Sequence, residues 1–238
     1  MLYPEKHIKK RTMMLFAALF LTGFLQAQEL RVYLTSTIPV KEREKSLKSD
    51  AALSGMQVTV FGQFREFDSA NKTKAKYLIV PSSFVKYNPE YKAVYQFGKD
   101  GHSNTKFLIL ATKPEWTIDK FSAGKVGIVD ELGRKDTKTY VTDIAGKFKL
   151  IKRVTKPDDL MPLLVLENAD YIIVRSDNYE ILKKKFTAKT IKVGETKTVD
   201  HPVICVLKDT PESEVNKLGA LSPETIKALG FTELKKLQ

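Results

Sequence analysis

Three times in this chain a short apolar run stops at a small polar cluster and a helix-forming stretch follows. The three are YLIV-PSSF at 77–84, VGIV-DELGRKDTKTYV at 126–141 and YIIV-RSDNYEIL at 171–182. Short apolar runs without alternation suit strands covered on both faces, the condition of a parallel sheet under helices. Parallel strands need a crossover between them, and the helical stretches supply it. The same alternation continues elsewhere. Strands are expected at ELRVYL (29–34), MQVTVFGQF (56–64), AVYQFG (93–98), KFLILAT (106–112), 149–154 and HPVICVLK (201–208). Helices are expected at 41–54 and 66–74, in KPDDLMPLLVLENAD, and near the end at Glu212–Leu221 and Pro223–Leu229. The pattern is that of an α/β protein with mainly parallel sheets.

In open parallel sheets, ligands sit beyond the carboxyl ends of the strands. The residues at those ends are therefore the candidate site. They are Thr35, Ser36 and Thr37 after the first strand, Ser82 and Ser83 after the third, and Asp177 with Asn178 at the corner before a helix expected to begin near Tyr179. The richest corner is GKVGIVDELGRKDTKTYV, 124–141, where the helix is expected to open near Thr137 with Lys138 and Thr139 close behind. A helix start has N–H groups without partners and a dipole that favours negative charge, so threonine hydroxyls there make an anion seat. The plainer alternative is that Asp136 or Thr137 only caps the helix. Each corner taken alone is also ordinary turn chemistry.

The ends of the chain and its charge narrow the setting. Lys9, Lys10 and Arg11 precede the apolar run MMLFAALFLTGFL, and Gln26, Ala27 and Gln28 follow it. That order is the order of a cleavable secretory signal peptide, with cleavage expected after Ala27. Of the 40 basic and 28 acidic residues, four and one fall in 1–27, leaving 36 and 27, a net charge of +9. A positive balance suits an anionic ligand. The lysines are spread evenly, with no basic block interleaved with aromatics, which argues against nucleic acid as a partner. The single cysteine, Cys205, lies in an apolar run and reads as a buried, inert thiol. Three histidines far apart, with no C-x-x-C, give no metal or cofactor site. His201 opens a strand and reads as a surface residue or one facing a cleft.

The order of these pieces resembles the type II periplasmic solute-binding proteins, and among them the phosphate/phosphonate-type binding components of ABC transporters. GKVGIVDELGRKDTKTYV is similar to that family's strand, Ser/Thr-rich loop and helix start, and YLIVPSSF to its third-strand corner. ADYIIVRSDNYEIL, HPVICVLKDTPESEVNKL and KALGFTEL resemble its later strand, return strand and terminal helix end. The family's serine-threonine-serine-glycine tetrad reads Asp136, Thr137, Lys138, Thr139 here, without the glycine.

The resemblance implies two lobes. Residues 28–108 and 193–238 would form the first and 109–192 the second, with crossing segments near 109–114 and 191–196 as a hinge. It further implies a monomeric periplasmic protein that holds a small, phosphate- or phosphonate-like anion between the lobes and delivers it to an ABC permease. The competing reading is a sensor or accessory protein of the same fold, with no transported ligand. No catalysis is expected: the chain has no nucleophile elbow, P-loop or zinc motif. The acidic pair Asp158–Asp159 reads as a helix start.

Overall fold

The computed structural model describes residues 28–187 and 189–237, and the expected signal peptide at 1–27 lies outside them. The chain opens with β1 (Gln28–Tyr33), α1 (Val40–Ser49), β2 (Met56–Phe61), α2 (Phe64–Asn71), β3 (Tyr77–Val80), α3 (Ser82–Tyr87) and β4 (Tyr91–Gly98). A short β5 (Asn104–Thr105) leads into β6 (Phe107–Ala111), β7 (Lys125–Val129), α4 (Gly133–Ala145), β8 (Leu150–Val154), α5 (Leu160–Val165), β9 (Tyr171–Arg175), α6 (Ser176–Lys185) and β10 (Ile191–Glu195). The chain returns through β11 (Val199–Asp200) to β12 (Val203–Leu207), α7 (Glu212–Leu218), α8 (Pro223–Ala228) and β13 (Glu233–Lys236).

Each lobe is built on one sheet. The first has the order β13-β4-β12-β3-β1-β2 and the second β10-β6-β9-β7-β8. The two share a plan. Three parallel strands (β2-β1-β3 and β8-β7-β9) are followed by a strand running the other way, β12 or β6, and then by β4 or β10. The sheets are therefore mixed, not mainly parallel. β12 reaches the first sheet from the second lobe instead of over a helix of its own lobe, so it enters in the opposite sense.

The crossing itself is made by β5 and β11, paired antiparallel through Thr105↔Val199 and Asn104↔Asp200. Of the segments expected as the hinge, 109–114 and 191–196, residues 109–111 and 191–195 are paired strands inside the second sheet, with Ile191 opposite Ala111. β13 has no apolar run to mark it in the sequence. It is a polar edge strand beside β4, with Glu233 opposite Gly98, anchored just before it by the buried Phe231.

Burial on both faces explains the apolar runs. In β3, Tyr77 and Ile79 enter the core under α1 and α8, while Leu78 and Val80 enter the core shared with the second lobe. β12 divides in the same way, Ile204 and Val206 to one side and Val203 and Cys205 to the other. Each such side chain removed from water contributes about 1.5–3 kcal/mol. Burial also pushes the Cys205 thiol up, away from the reactive thiolate.

Close packing gives one glycine a strict role. A Cβ at Gly124 would lie 2.4 Å from the Tyr171 ring. That ring is fully buried, packs against Trp116 and Phe121 and donates from its hydroxyl to the Thr117 carbonyl at 2.7 Å. Gly124→Val should destabilise the protein by about 1–3 kcal/mol through overpacking. Urea unfolding checks this, and a loss within error of zero would mean that the ring has room to move.

Candidate functional site

Four strand-to-helix corners meet where the lobes face each other. They follow β1 and β3 in the first lobe and β7 and β9 in the second. The seam is closed by hydrogen bonds across it. Tyr33 donates from its hydroxyl to the Asp130 carbonyl at 2.8 Å. The Thr35 hydroxyl donates to the Glu131 carboxylate. Lys86 on α3 pairs with Asp143 on α4 at 2.8 Å. Apolar packing continues through the seam: Tyr33, Phe67 and Phe84 share one core with Ile128, Leu132, Tyr140 and Val141. Gly133, at φ +79°, adopts the left-handed conformation that favours glycine. A Cβ there would sit 3.1 Å from the Phe64 ring of the other lobe.

Buried charge concentrates at this seam. Arg175, the last residue of β9, donates from Nε and Nη2 to the two carboxylate oxygens of Asp177, at 3.2 and 3.1 Å. Asp177 also accepts from the Asn178 N–H at 2.9 Å, and Lys99 Nζ lies 3.8 Å from it. Burial alone would raise the Asp177 carboxyl, but the charge and hydrogen bonds of Arg175, helped by Lys99, outweigh it and hold it below the usual carboxylate range. Glu131 has the opposite balance. Burial raises it above the usual range, against the Thr35 hydrogen bond and the charge of Arg175.

His201 is 4% exposed, with Nδ1 3.4 Å from Arg175 Nη2. A guanidinium has only donors, so Nδ1 is the acceptor and the ring is neutral. Burial and the Arg175 charge together lower its pKa to about 4.

Between the lobes lies a cavity of about 70 Å³, walled by Leu34–Ile38, Lys99, Arg175, Asp177, Asn178, Ile181 and Leu229–Phe231. It brings together five of the residues singled out from the sequence: Thr35, Ser36 and Thr37 from the first lobe, Asp177 and Asn178 from the second. The other five lie elsewhere. Ser82 donates to the Asp200 carbonyl of the crossing ribbon at 2.9 Å. Ser83 is buried with its hydroxyl unpartnered.

The expected helix start at Thr137 is corrected: α4 begins at Gly133, so Thr137, Lys138 and Thr139 belong to its second turn. Thr137, 1% exposed, donates to Asp130 Oδ1 at 2.7 Å and accepts from the Leu132 N–H at 3.2 Å, bracing the corner from within. Lys138 and Thr139 face solvent, and Thr139 turns back on the Lys135 carbonyl at 3.4 Å. α6 likewise begins at Ser176 instead of near Tyr179, which puts Asp177 and Asn178 in its first turn.

Sequence reasoning passed over Lys99, Glu131 and Arg175. A signal for the last two was present: each carries charge at or just past the carboxyl end of an apolar strand, the ligand side of such a sheet.

No protein-family model matches this chain, and no curated protein matches its sequence. Solved structures do match it in shape. One is a binding protein component of an ABC phosphonate transporter from Pseudomonas aeruginosa, with TM-score 0.62 at 9% identity over 89% of this chain and 82% of that one. Another is the substrate-binding protein of an amino acid ABC transporter, with TM-score 0.55 at 11% identity over 85% and 93%. A third is a histidine kinase sensor domain with similarity to periplasmic binding proteins, with TM-score 0.54 at 13% identity over 86% and 89%.

The fold is that of a periplasmic binding protein. Identities this low carry the architecture and leave the ligand to be argued from the residues. In this binding-protein fold the gap between the lobes is shut, and its cavity is well below the ~300–1,000 Å³ usual for small-molecule sites. Among the described residues no group of three or more His, Cys, Asp or Glu is placed to hold a metal ion, and no helix is long and apolar enough to cross a membrane.

Proposed function

We propose that this protein is an exported, monomeric solute-binding protein of the periplasm that captures a small anion between its lobes and presents it to an ABC permease. One observation carries the reading: the Thr35–Thr37 corner of one lobe and the Arg175–Asn178 corner of the other share a single cavity with Lys99. Two cations against one carboxylate, with hydroxyls and backbone N–H groups beside them, favour an anion of phosphate or phosphonate size. Asp177 disfavours a fully ionised dianion and suits a ligand that keeps a proton or carries a donor group. No chemical step belongs to this reading.

Melting of the mature protein, measured against phosphate, methylphosphonate, sulfate and small carboxylates, tests the proposal. A ligand at a hundred times its Kd stabilises the native state by about 2.7 kcal/mol. For a chain of this size that is a shift on the order of 5–10 °C. Lys99→Gln should reduce the shift for the best anion. If no anion moves the melting temperature and Lys99→Gln changes nothing, the reading is wrong.

A second reading draws on the closed seam. Hydrogen bonds from Tyr33 and Thr35, with a continuous apolar core, fill the space a ligand would take. This favours a sensor or accessory protein that uses the fold for contact with a membrane partner. Small-angle scattering separates the two: solute capture requires a ligand-free form that opens, whereas the second reading requires one that stays closed in every anion.

A further inference from the structure

Where α3 and α4 face each other across the seam, three side-chain hydroxyls are buried without a hydrogen-bond partner: Ser83 and Tyr87 on α3, and Tyr140 on α4. Ser83 and Tyr140 are 8% and 6% exposed. The two helices face each other across the seam, as the Lys86–Asp143 pair shows. Tyr140 is close enough to Tyr87, Glu131 and Arg175 for each to perturb its ionisation. Glu131 adds a buried carboxylate with one identified partner, Thr35.

Unpaired hydroxyls are costly in a packed interior, and native proteins rarely leave several together. A separate gap of about 10 Å³ lies beside Glu131, bounded by Thr35, Arg175 and Asn178, at the lower limit for one water molecule.

The chemistry of the cluster selects a ligand. Hydroxyls both donate and accept, and a carboxylate accepts. Arg175, whose charge reaches Tyr140, is already forked on Asp177, and Lys86, over the Tyr87 ring, is paired with Asp143. A second anion would meet Glu131, and a cation would meet Arg175. A neutral group bearing hydroxyls fits all of these partners at once. The aromatic rings of Tyr33, Phe64 and Phe84, in the same core as Tyr140, offer apolar faces for its C–H groups.

We propose that the ligand is a phosphorylated polyol or sugar: its anionic end in the Lys99–Arg175 cavity, its hydroxylated end between Ser83, Tyr87, Tyr140 and Glu131 once the lobes part. This rests on the anion-capture reading and specifies its ligand.

Calorimetric titration of the mature protein with inorganic phosphate, glycerol phosphate, sorbitol phosphate, aminoethylphosphonate and free sorbitol tests it. The polyol phosphates should bind at least about tenfold more tightly than phosphate, since a site built for hydroxyls penalises a ligand that lacks them. Tyr140→Phe and, separately, Ser83→Ala should narrow that preference. Tyr140→Phe should also raise the melting temperature of the ligand-free protein, because it deletes an unpaired polar atom and keeps the ring.

If phosphate binds as well as its polyol esters, or the amine-bearing phosphonate binds best, the inner site is refuted and anion capture stands. If the variants weaken phosphate and polyol phosphates equally, the inner site is again refuted. If no anion binds, both readings fall.

Discussion

Phe67→Ala should cost about 3–5 kcal/mol, the range for deleting a fully buried aromatic side chain. Phe67 is 0% exposed and sits at the middle of the aromatic cluster on α2 and its neighbours. Its ring stacks on Tyr33 at 5.6 Å and meets Phe61, Phe64 and Phe84 at 5.7, 6.2 and 5.4 Å. Removing it leaves a cavity lined on several sides by rigid rings, which collapse poorly into the space. The melting temperature should fall by roughly 10 °C, at 2–4 °C per kcal/mol for a chain of this length.

The effect should also reach the seam. Tyr33, which rests on Phe67, carries the hydrogen bond to Asp130 of the other lobe, so the variant should open more readily. Chemical unfolding measures the first effect and small-angle scattering the second. A loss below about 1 kcal/mol would show that the cluster is loosely packed.

The second large effect is a dependence on pH carried by His201. The unfolded chain binds a proton at this residue below about pH 6.5, and the native protein only below about 4. Between those values the unfolded state holds more protons, so native stability falls as the pH falls. Above about 6.5 the imidazole is neutral in both states and the loss vanishes. The whole window is worth up to roughly 3 kcal/mol at 1.36 kcal/mol per pH unit.

Glu131 acts in the opposite sense. Its carboxyl is raised in the native state, so its contribution grows as the pH falls. The informative quantity is therefore the difference between the wild type and His201→Asn, which keeps an acceptor for Arg175 but does not titrate. Unfolding free energies from pH 4 to 7 should show an acid loss in the wild type that is reduced in the variant. Parallel curves would place the acid sensitivity elsewhere.

How much of this was legible in the sequence depended on whether one stretch of chain held the cause. The buried strands were legible because runs such as Tyr77–Val80 and Tyr171–Val174 carry their own evidence of burial on both faces. Their order in the sheets was less so. Nothing local distinguishes β12, which runs against its neighbours, from a parallel strand, and the polar β13 gives almost no apolar signal.

Two helices begin earlier than their polar residues suggest, for a common reason. Leu132 and Arg175 occupy the cap positions without a side-chain cap. The polar residues that looked like caps, Asp136 and Thr137, lie within the helix. Thr137 still satisfies the corner, reaching back from the second turn to the Leu132 N–H, but a hydroxyl acting from inside the helix has no sequence signature.

The site divided along the same line. Thr35–Thr37, Asp177 and Asn178 were found because small polar residues after a strand are conspicuous. Glu131 and Arg175 were missed because a charged residue after a strand ordinarily reads as solvated. What buries them is the opposite lobe, far away in the sequence.

The interleaving of the two sheets also sets an order for their assembly. Every strand of the second sheet, β6 to β10, comes from one continuous length of chain. The first sheet keeps a vacancy between β3 and β4 until β12 arrives, when Val80 finally meets Val203. Contacts so distant in sequence close late, because the entropy of a long loop is lost before any pairing repays it. A chain emerging from a ribosome or a translocon therefore completes its second lobe first. Meanwhile β3 and β4 stand as open edges, the surfaces through which nascent β proteins join one another. β12 thus seals both edges when it docks, and the protein is most exposed to aggregation in the interval before it does.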